Sequence, residues 1–373
     1  MVIVHIIGAM AAGGRERRLS QLSIALSTHS NCRQYIITLL EENVYSEILN
    51  TNVKIICIGK NRNKIVSNYF NIIKKIRPDI VHLWTEIPFI LVITSLFKYL
   101  FKYKLIVGFI ADGNPISNIV CKITYHFSFN CSDCVISNSK NGLIAKKAPL
   151  KKSYVIYNGF DFERFNKNIR QREDLLRELG INSGFIVTMV ARFNAAKDYD
   201  MFINVAERFS RLRRDVTFVA VGKGENFEDI SKKKDLLGLK NVVLTGQRSD
   251  VEQILLASDI GVLFTNEKIH AEGISNSIME SMAAELPVVA TMGGGTPEII
   301  SNKINGFIIQ PGDINAAVSS IEMLLNSEKL RCTIGQEAKK TIKERFLLSS
   351  MTNEYYNLYK RLINENSSHN LFS

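Results

Sequence analysis

Short apolar runs that alternate with amphipathic helical patterns constrain the fold of this chain more than any other feature. Such alternation is typical of parallel sheets whose crossover helices cover both faces. The first series of predicted strands is 2–7, 34–39, 53–58, 79–84, 104–110, 133–137 and 153–157. The second series is 185–191, 216–221, 241–244, 260–264, 286–291 and 306–309. The pattern predicts an α/β protein with two doubly wound, Rossmann-like parallel sheets.

A charged stretch without strand character, residues 164–178, separates the two series. The 373 residues also exceed what one hydrophobic core usually supports. We therefore predict an N-terminal domain over 1–165 and a C-terminal domain over 166–345. A final helical pattern, about 333–364, is long enough to pack against both domains. The segment 346–373 is predicted to be a C-terminal helix and tail that packs back toward the N-terminal domain.

The charge balance points to an anionic partner. The chain has 47 Lys and Arg against 36 Asp and Glu, a net charge of +11. Nucleic acid, a lipid surface or a phosphorylated substrate would each suit this charge. Basic residues do not interleave with aromatic ones as in a base-stacking groove, so nucleic acid is not an expected partner.

The apolar run 87–97 is too short to span a bilayer, and lysines at 98, 102 and 104 follow it. An amphipathic helix on an anionic membrane surface fits this segment, and a core helix with a solvated basic end fits it better. No basic region precedes the apolar residues at the start of the chain, as a secretory signal would require. We expect a cytoplasmic protein, peripheral at the inner face of the plasma membrane.

Metal chemistry is not expected. Cys131 and Cys134 form a C-x-x-C pair, but the sequence offers neither a second pair nor a nearby histidine cluster for zinc. Asp198 and Asp200 spell D-x-D, a pattern that elsewhere holds a divalent metal. Here the pair begins a helix directly after a lysine, so helix capping explains it better. We predict no metal and no cofactor.

Ligand-binding residues are expected directly after strands, because open parallel sheets bind ligands at the carboxyl ends of their strands. The stretch "GAMAAGGRERR" follows the strand 2–7. Gly13 and Gly14 would let the backbone approach a ligand, and a helix beginning near Arg15 would point its free amides at the same place. A tight strand-to-helix turn explains the glycine pair equally well.

The stretch "VARFNAAKDYD" follows the strand 185–191. Arg192 and Lys197 lie on the connection that leaves this strand, where two cations could grip a diphosphate from different sides. Solvated side chains are the alternative for either residue alone. Their shared place after one strand favours a binding role.

The stretch "HAEGISNSIMESMAAELPVVATMGGGTPEI" places two acids, a helix start and three glycines close together. Ser275 or Asn276 can cap a helix that carries Glu280, whose first amides would face an anion. Carboxylates accept paired hydrogen bonds from vicinal hydroxyls, so Glu272 and Glu280 could each bind a different sugar ring. Glycines 293–295 offer bare backbone to the group between them. This is the outline of a nucleotide sugar, although Glu280 fits a first-turn helix acid equally well.

Five stretches in chain order carry a resemblance: "GGRER" at 13–17, "YNGFDFERF" at 157–165, "VARFNAAKD" at 190–198, "FVAVGKGE" at 218–225, and "HAEGISNSIMESMAAELPVVATMGGGTPEIISNKINGFIIQPGD" at 270–313. Together they resemble the family 4 glycosyltransferases, which are glycogen-synthase-like retaining enzymes. The match runs from about residue 3 to 345, and the block 259–313 is its specific part. The resemblance implies the GT-B fold, in which two Rossmann-like domains face a cleft.

The resemblance also implies which residues bind the donor. They are Gly13, Gly14, Arg192, Lys197, Glu272, Gly273, Ile274, Ser275, Asn276 and Glu280. Arg192 and Lys197 would hold the donor diphosphate. Glu272 would contact the transferred sugar and Glu280 the ribose. The glycine pair would close over the diphosphate from the N-terminal domain, which would bind the acceptor.

The sequence departs from the family at one point. Many members place a histidine after the strand that here reads "KLIVGFIADGNP", whereas residues 104–115 contain none. Asp112 occupies that neighbourhood. The predicted catalytic residues are therefore Glu272, Arg192, Lys197 and Asp112, and either Asp112 takes part of the role of the histidine or the chemistry depends more on the leaving group.

We expect a retaining glycosyltransferase that uses a UDP- or GDP-sugar and acts on a glycan or a lipid-diphosphate-linked acceptor. By analogy, its pathway would be bacterial surface polysaccharide, O-antigen or capsule. Two alternatives are a nucleotide-sugar epimerase of the same fold and a non-catalytic subunit that binds a nucleotide sugar. An epimerase would turn over its donor without an acceptor, and the joint presence of the two cations and two acids weighs against a non-catalytic subunit.

Overall fold

A computed structural model describes residues 1–11, 13–166, 170–181 and 184–369 of this protein. Parts of three predicted segments lie outside the described residues: Ala12, residues 167–169 and residues 370–373. The chain forms two compact units, one from Met1–Gly159 with the chain from Leu348 onward, the other from Phe160–Leu347. The chain thus passes from the first unit to the second between Gly159 and Phe160, whereas the predicted boundary was residue 165. The assignment of acceptor and donor to the two units stays a prediction.

All thirteen predicted strands are present, each within two residues of its predicted bounds. The first unit contains β1 Val2–Ile7, β2 Arg33–Thr38, β3 Lys54–Cys57, β4 Ile80–Leu83, β5 Lys104–Ile110, β6 Cys134–Ser137 and β7 Ser153–Val155. The second contains β8 Phe185–Val190, β9 Val216–Val221, β10 Val242–Gly246, β11 Ile260–Leu263, β12 Val288–Thr291 and β13 Phe307–Ile309. The sheet orders are β3-β2-β1-β4-β5-β6-β7 and β10-β9-β8-β11-β12-β13. Both sheets are parallel and doubly wound, which confirms the predicted fold class.

The helices follow in chain order as α1 Gly14–Ser27, α2 Arg62–Ile76, α3 Pro88–Phe101, α4 Ile119–Cys131, α5 Lys140–Ala145, α6 Arg172–Glu178, α7 Tyr199–Leu212, α8 Phe227–Leu236, α9 Val251–Leu256, α10 Asn276–Ala283, α11 Thr296–Ile299, α12 Ile314–Leu325, α13 Glu328–Arg345 and α14 Leu348–His369. Single-turn 3-10 helices lie at Ser46–Asn50, Leu150–Lys152 and Phe162–Asn166. Along the described residues, no helix is both long enough and apolar enough to cross a bilayer.

The first sheet is buried on both faces, because successive side chains of a strand point to opposite faces. Val4 and Ile6 of β1 join one core cluster together with side chains of α2, α3, α4 and α5. Ile3 and Ile7 join the other cluster, which contains side chains of α1 and α14. The C-terminal helix α14 is therefore part of the first unit.

The single helix predicted over 333–364 is wrong, because the chain leaves the helical conformation at Phe346. The Phe346 side chain is buried, and its carbonyl oxygen accepts a hydrogen bond from the Phe160 amide at 2.7 Å. Leu347 also forms a parallel bridge with Phe160. These contacts tie together residues far apart in sequence, which helical periodicity alone does not reveal.

A polar cluster lies in the core of the first unit beneath α14. His5 and His82 are fully buried on the adjacent strands β1 and β4. His5 Nδ1 accepts a hydrogen bond from the Trp84 indole at 3.1 Å, and His82 Nδ1 lies 2.7 Å from the Tyr359 hydroxyl. Burial lowers the pKa of His5 to about 4, and burial, His5 and Arg18 hold the pKa of His82 well below 6.5. Both imidazoles are therefore neutral in the folded protein near neutral pH.

We predict that the free energy of unfolding decreases as the pH falls below 6.5. In the unfolded chain both histidines take up protons near pH 6.5, whereas His5 does so in the folded protein only near pH 4. The unfolded state thus binds more protons between these values, and stability falls by about 1.4 kcal/mol per pH unit for each histidine. Urea unfolding at pH 7.5, 6.5 and 5.5 measures this slope.

His5→Gln keeps an acceptor for the Trp84 indole and should reduce the slope. The control is His126→Gln, because His126 lies on the surface of α4 and its replacement should leave the slope unchanged. An equal slope in the His5→Gln variant and the unchanged protein would contradict the assignment.

Candidate functional site

The carboxyl edge of the second sheet brings together the loops that follow β8 and β11, which are neighbouring strands. Lys197 forms an antiparallel bridge with Thr265. The Asp198 amide donates to the Phe264 carbonyl oxygen at 3.0 Å, and the Asn266 amide donates to that of Ala196 at 2.9 Å. The strand order reverses between β8 and β11, and ligands of doubly wound sheets bind at such a point.

Two of the predicted site residues form an ion pair at this edge. Lys197 Nζ contacts Glu272 Oε1, and both side chains are largely buried, with 14% and 15% of their surface exposed. His270 Nε2 lies 3.7 Å from the same carboxylate oxygen. The structure thus brings a cation from the β8 loop to a carboxylate from the β11 loop, 75 residues later.

The glycine run after β12 packs against the backbone of the Glu272 loop. Gly294 has φ +50°, and a Cβ atom there would overlap the Glu272 carbonyl. The Gly295 amide donates to the same carbonyl oxygen at 2.7 Å, and a Cβ atom at Gly295 would crowd the Gly273 carbonyl. Gly294 and Gly295 thus have a packing role, and the expectation that the run offers bare backbone to a ligand stays a prediction. They are needed because two loops touch at their backbones.

The first turn of helix α10 lies next to the end of β8 in space. The Ser277 hydroxyl donates to the carbonyl oxygen of Val190, the last residue of β8, at 2.6 Å. Ser275 occupies the N-cap position and Asn276 is the first helical residue. Within the described part of the chain, the Ser275 side chain makes no capping hydrogen bond, so the predicted side-chain cap is wrong.

Glu280 is the fifth residue of α10 and is 5% exposed, so the reading as a first-turn helix acid is wrong. Its Oε1 atom accepts a hydrogen bond from Arg164 Nη2 at 3.0 Å. The same guanidinium contacts Glu252 on α9. Burial alone would lower the pKa of Arg164, and the charges of Glu280 and Glu252 more than offset it, so that the pKa is raised.

Arg192 differs from Lys197 in its surroundings. Its side chain is 68% exposed and lies 3.6 Å from Glu225. The backbone of its loop is closely packed, because Cβ atoms at Gly222 and Gly224 would overlap the carbonyl groups of Ala191 and Phe193. A fixed loop therefore carries an exposed guanidinium.

The D-x-D pair has structural roles, as predicted. Asp198 caps α7 by accepting a hydrogen bond from the Met201 amide at 2.9 Å. Asp200 forms an ion pair with Lys233. Over the described residues, no group of three or more His, Cys, Asp and Glu side chains is placed to hold a metal ion.

The predicted residues of the first unit lie at the carboxyl edge of the first sheet. Gly13 is the N-cap of α1, which begins at Gly14, one residue before the predicted Arg15. The Gly13 amide donates to the Tyr45 hydroxyl at 3.3 Å, and that hydroxyl donates back to the Gly13 carbonyl oxygen at 3.0 Å. The loop is thus held by a side chain from the connection after β2.

Asp112 follows β5, as predicted, and forms an ion pair with Lys146 at 2.9 Å. Its Oδ1 atom also accepts the Asn114 amide at 2.9 Å. Nearby, Arg15 Nη2 donates to Glu86 Oε1 at 3.2 Å, and Tyr125 donates to Glu86 Oε2 at 2.7 Å. The catalytic role of Asp112 stays a prediction.

Sequence reasoning missed several of these partners: Tyr45, Lys146, Arg164, Glu252 and His270. A signal existed for two of them, because Arg164 lies in the stretch "YNGFDFERF" and His270 begins the stretch that contains Glu272. The sequence carries no such signal for Tyr45, Lys146 and Glu252, because the fold alone brings each of them to its partner.

The segment that carries this edge of the second sheet matches a known family. Residues 171–341 match the family described as glycosyl transferases group 1. Over this segment, a little under half of the chain, the sequence is similar to that family. The matched residues include Arg192, Lys197, Glu272 and Glu280.

Curated glycosyltransferases are also similar to this chain. The chain is 29% identical over 210 residues to the capsular polysaccharide biosynthesis glycosyltransferase CapM of Staphylococcus aureus, which covers 56% of this chain and 54% of that protein. It thus spans about half the length of this relative. It is 27% identical over 307 residues to the UDP-Gal:alpha-D-GlcNAc-diphosphoundecaprenol alpha-1,3-galactosyltransferase of Escherichia coli, across 78% and 77% of the two chains.

Solved structures share the fold. Anabaena HepE in complex with UDP-glucose superposes with a TM-score of 0.81 at 20% identity, over 99% of this chain and 100% of that one. At this identity the likeness shows the fold, which is the GT-B fold.

We predict that Gly294→Ala lowers the free energy of unfolding by about 3 kcal/mol or more, because it combines a left-handed backbone with overlap of the Glu272 carbonyl. Gly312→Ala is the matched control, since Gly312 also has positive φ but its Cβ would meet open space. It should cost about 1 kcal/mol. Urea unfolding of both variants measures the difference, and equal losses would contradict the packing role of Gly294.

Proposed function

We propose that this protein is a retaining glycosyltransferase that transfers a sugar from a nucleotide-sugar donor to an acceptor hydroxyl. The observation that carries the proposal is the half-buried Lys197–Glu272 ion pair beside the start of α10, at the point where the strand order reverses. It lies in the segment that matches the family. The family match supports the reaction type, and the ion pair supports the site.

The proposed donor site assigns a separate chemical group to each residue. Arg192 and Lys197 bind the diphosphate, because its charge suits two cations that approach from one loop. Glu272 accepts hydrogen bonds from the transferred sugar. Glu280 accepts hydrogen bonds from the ribose hydroxyls, a pairing that suits two vicinal donors and one carboxylate. The amides at the start of α10, together with Gly273 and Ile274, face the diphosphate.

The proposed reaction keeps the anomeric configuration by front-face displacement. The bond between the anomeric carbon and the diphosphate oxygen breaks, and a bond from that carbon to the acceptor oxygen forms on the same face. The acceptor proton passes to the departing phosphate oxygen. Charge grows on the diphosphate in this step, so Arg192 and Lys197 stabilise the transition state more than the ground state. We propose that they do so without a metal ion.

The relatives support a finer proposal for substrates. One is named for capsular polysaccharide biosynthesis and another for a UDP-Gal donor and a diphosphoundecaprenol-linked acceptor. One structural neighbour was solved with UDP-glucose. We propose a UDP-sugar as the first donor to test, before a GDP-sugar, with a glycan or lipid-diphosphate acceptor of bacterial surface polysaccharide. The site would then lie in the cytoplasm, where nucleotide sugars are available.

We further propose that one face of the first unit binds an anionic membrane surface. The helices α3, α4 and α5 cover the same face of the first sheet, because their buried side chains share one core cluster. We call their outward side the α3–α5 layer. Its exposed apolar side chains are Leu96, Tyr99, Leu100, Ile119, Val120, Ile123 and Ile144, and Leu150 is exposed in the 3-10 helix that follows α5.

The positive charge around the α3–α5 layer favours binding to an anionic lipid surface. Residues 87–160 contain nine lysines and two acids, Asp112 and Asp133. Asp112 pairs with Lys146, and Asp133 pairs with Lys98 and Lys104. In the predicted segment 87–104, two of the three lysines thus share one carboxylate, that of Asp133. Exposed lysines at 102, 122, 147 and 151 surround the apolar side chains instead.

We predict two separable defects at the donor site. Glu280→Gln should weaken binding of free UDP by about 1.5–3 kcal/mol, because the ribose loses a charged acceptor. Glu272→Gln should lower turnover by about tenfold to a thousandfold and leave UDP affinity nearly unchanged, because its contact strengthens as the sugar ring gains positive charge. Calorimetric titration and a transfer assay in excess chelator measure both.

Melting curves of the two variants separate a folding defect from a binding defect. Unchanged turnover in Glu272→Gln would overturn the donor site. If excess chelator abolishes sugar transfer and magnesium or manganese restores it, the proposal that transfer needs no metal is overturned. Consumption of donor without acceptor would identify an epimerase instead.

We predict that the protein binds vesicles of phosphatidylglycerol more tightly than vesicles of phosphatidylcholine, and that salt weakens the binding. Each well-placed lysine contributes about 1 kcal/mol. Reversal of Lys122, Lys147 and Lys151 to Glu should therefore lower the affinity by about a hundredfold. The matched control reverses Lys232, Lys234 and Lys240 of the second unit, which changes the net charge by the same amount, and should change little beyond that shared loss. Equal binding to both kinds of vesicle would contradict the proposal.

A further inference from the structure

Arg164 lies between two carboxylates in the second unit. Its Nη2 atom donates to Glu280 Oε1 at 3.0 Å and also contacts Glu252 Oε1. The exposed fractions of the three side chains are 17%, 14% and 6% for Arg164, Glu252 and Glu280. We call these residues the Arg164 triad. The three belong to the 3-10 helix Phe162–Asn166, to α9 and to α10.

The Arg164 side chain is held on several sides. Its guanidinium lies 5.2 Å from the centre of the Phe160 ring. That ring packs against Phe162 and Phe165 of the same short segment. The Glu163 amide donates to Asp161 Oδ1 at 3.0 Å, which closes the turn before it. The cation is therefore presented by an ordered aromatic turn.

The charges of the triad make this contact strong. One guanidinium faces two carboxylates in a place with little access to water, where opposite charges attract more strongly than at the surface. A guanidinium donates along fixed directions in its plane. Arg164 therefore holds Glu280 Oε1 in place and limits how far the carboxylate can rotate.

A carboxylate that binds two ribose hydroxyls must present its oxygens in one orientation. We infer that Arg164 is a positioning residue for nucleotide binding, which acts through Glu280 and is itself anchored by Glu252. This inference rests on the proposed ribose contact of Glu280. It adds two residues, Arg164 and Glu252, that the donor site needs without any contact of their own to the nucleotide.

A purely structural ion pair would have different consequences. Removal of Arg164 would then lower stability and leave nucleotide affinity unchanged in the molecules that stay folded. A positioning role instead changes affinity, and does so only while Glu280 is present to be positioned. The two roles can therefore be separated by a double-mutant cycle.

The experiment compares Arg164→Met, Arg164→Lys and Glu280→Gln, alone and combined, by calorimetric titration of UDP and by donor kinetics. Arg164→Met should weaken UDP binding about tenfold and raise the donor KM similarly, with kcat within about twofold, because the ribose contact is equal in the ground and transition states. Arg164→Lys keeps the charge without the planar fork and should recover part of the affinity. If Arg164→Met does not fold, Arg164→Lys is the variant on which the inference is tested.

The matched control is Arg172→Met, which removes another arginine of the same unit that pairs with a carboxylate, Asp259, at 3.0 Å. It should lower the melting temperature and leave UDP affinity unchanged. In the Glu280→Gln background, adding Arg164→Met should weaken UDP binding less than twofold further.

Three results decide between the readings. UDP affinity that is unchanged in both Arg164 variants, while Glu280→Gln weakens it, would overturn the inference and leave the proposed function intact. A full tenfold effect of Arg164→Met in the Glu280→Gln background would also overturn the inference, because Arg164 would then act independently of Glu280. If the unchanged protein binds neither UDP-sugars nor GDP-sugars, the proposed function and the inference are both overturned.

Discussion

The backbone contact between the glycine run and the Glu272 loop is the constraint on which the site of the second unit depends. Gly295 donates to the Glu272 carbonyl oxygen, and Gly294 leaves no space for a side chain at the same point. The loop after β11 is thus fixed from one side by the loop after β12. From the other side it is fixed by the β8 loop, through the bridge between Lys197 and Thr265. Glu272 meets Lys197 because both of their loops are held at the backbone.

The two acids of the site are positioned by different means. Glu272 lies on a loop, and its place is set by backbone packing and by one lysine. Glu280 lies inside a helix, where the backbone is already rigid, and its side chain is set by Arg164. The Glu272 carboxylate is therefore held by the packing of its loop and by one lysine, whereas that of Glu280 is held by a guanidinium from another element. In the proposed site, the first acid contacts the reacting sugar and the second contacts the ribose.

The strands and the doubly wound fold could be predicted from the sequence, because buried parallel strands read as continuous apolar runs bounded by polar residues. The break at Phe346 could not, because it depends on a hydrogen bond to Phe160 nearly the whole second unit away. The glycine run was recognised, but its contact with the Glu272 loop was not, because the two loops are brought together by the fold. Arg164 was within a recognised stretch, yet its partner Glu280 is 116 residues distant. Local patterns reveal elements, and pairings between elements require the fold.

Arg192 and Lys197, the cations proposed to bind the diphosphate, differ in exposure. Lys197 is largely buried and already paired with Glu272, so its position is set by the protein and varies little. Arg192 is mostly exposed, and its contact with Glu225 is long at 3.6 Å. Surface ion pairs of this kind contribute little and break readily. Arg192 can therefore turn to a diphosphate at small cost, whereas Lys197 must keep Glu272 as a neighbour. A diphosphate held by both would bring the sugar-binding carboxylate next to the bond that breaks.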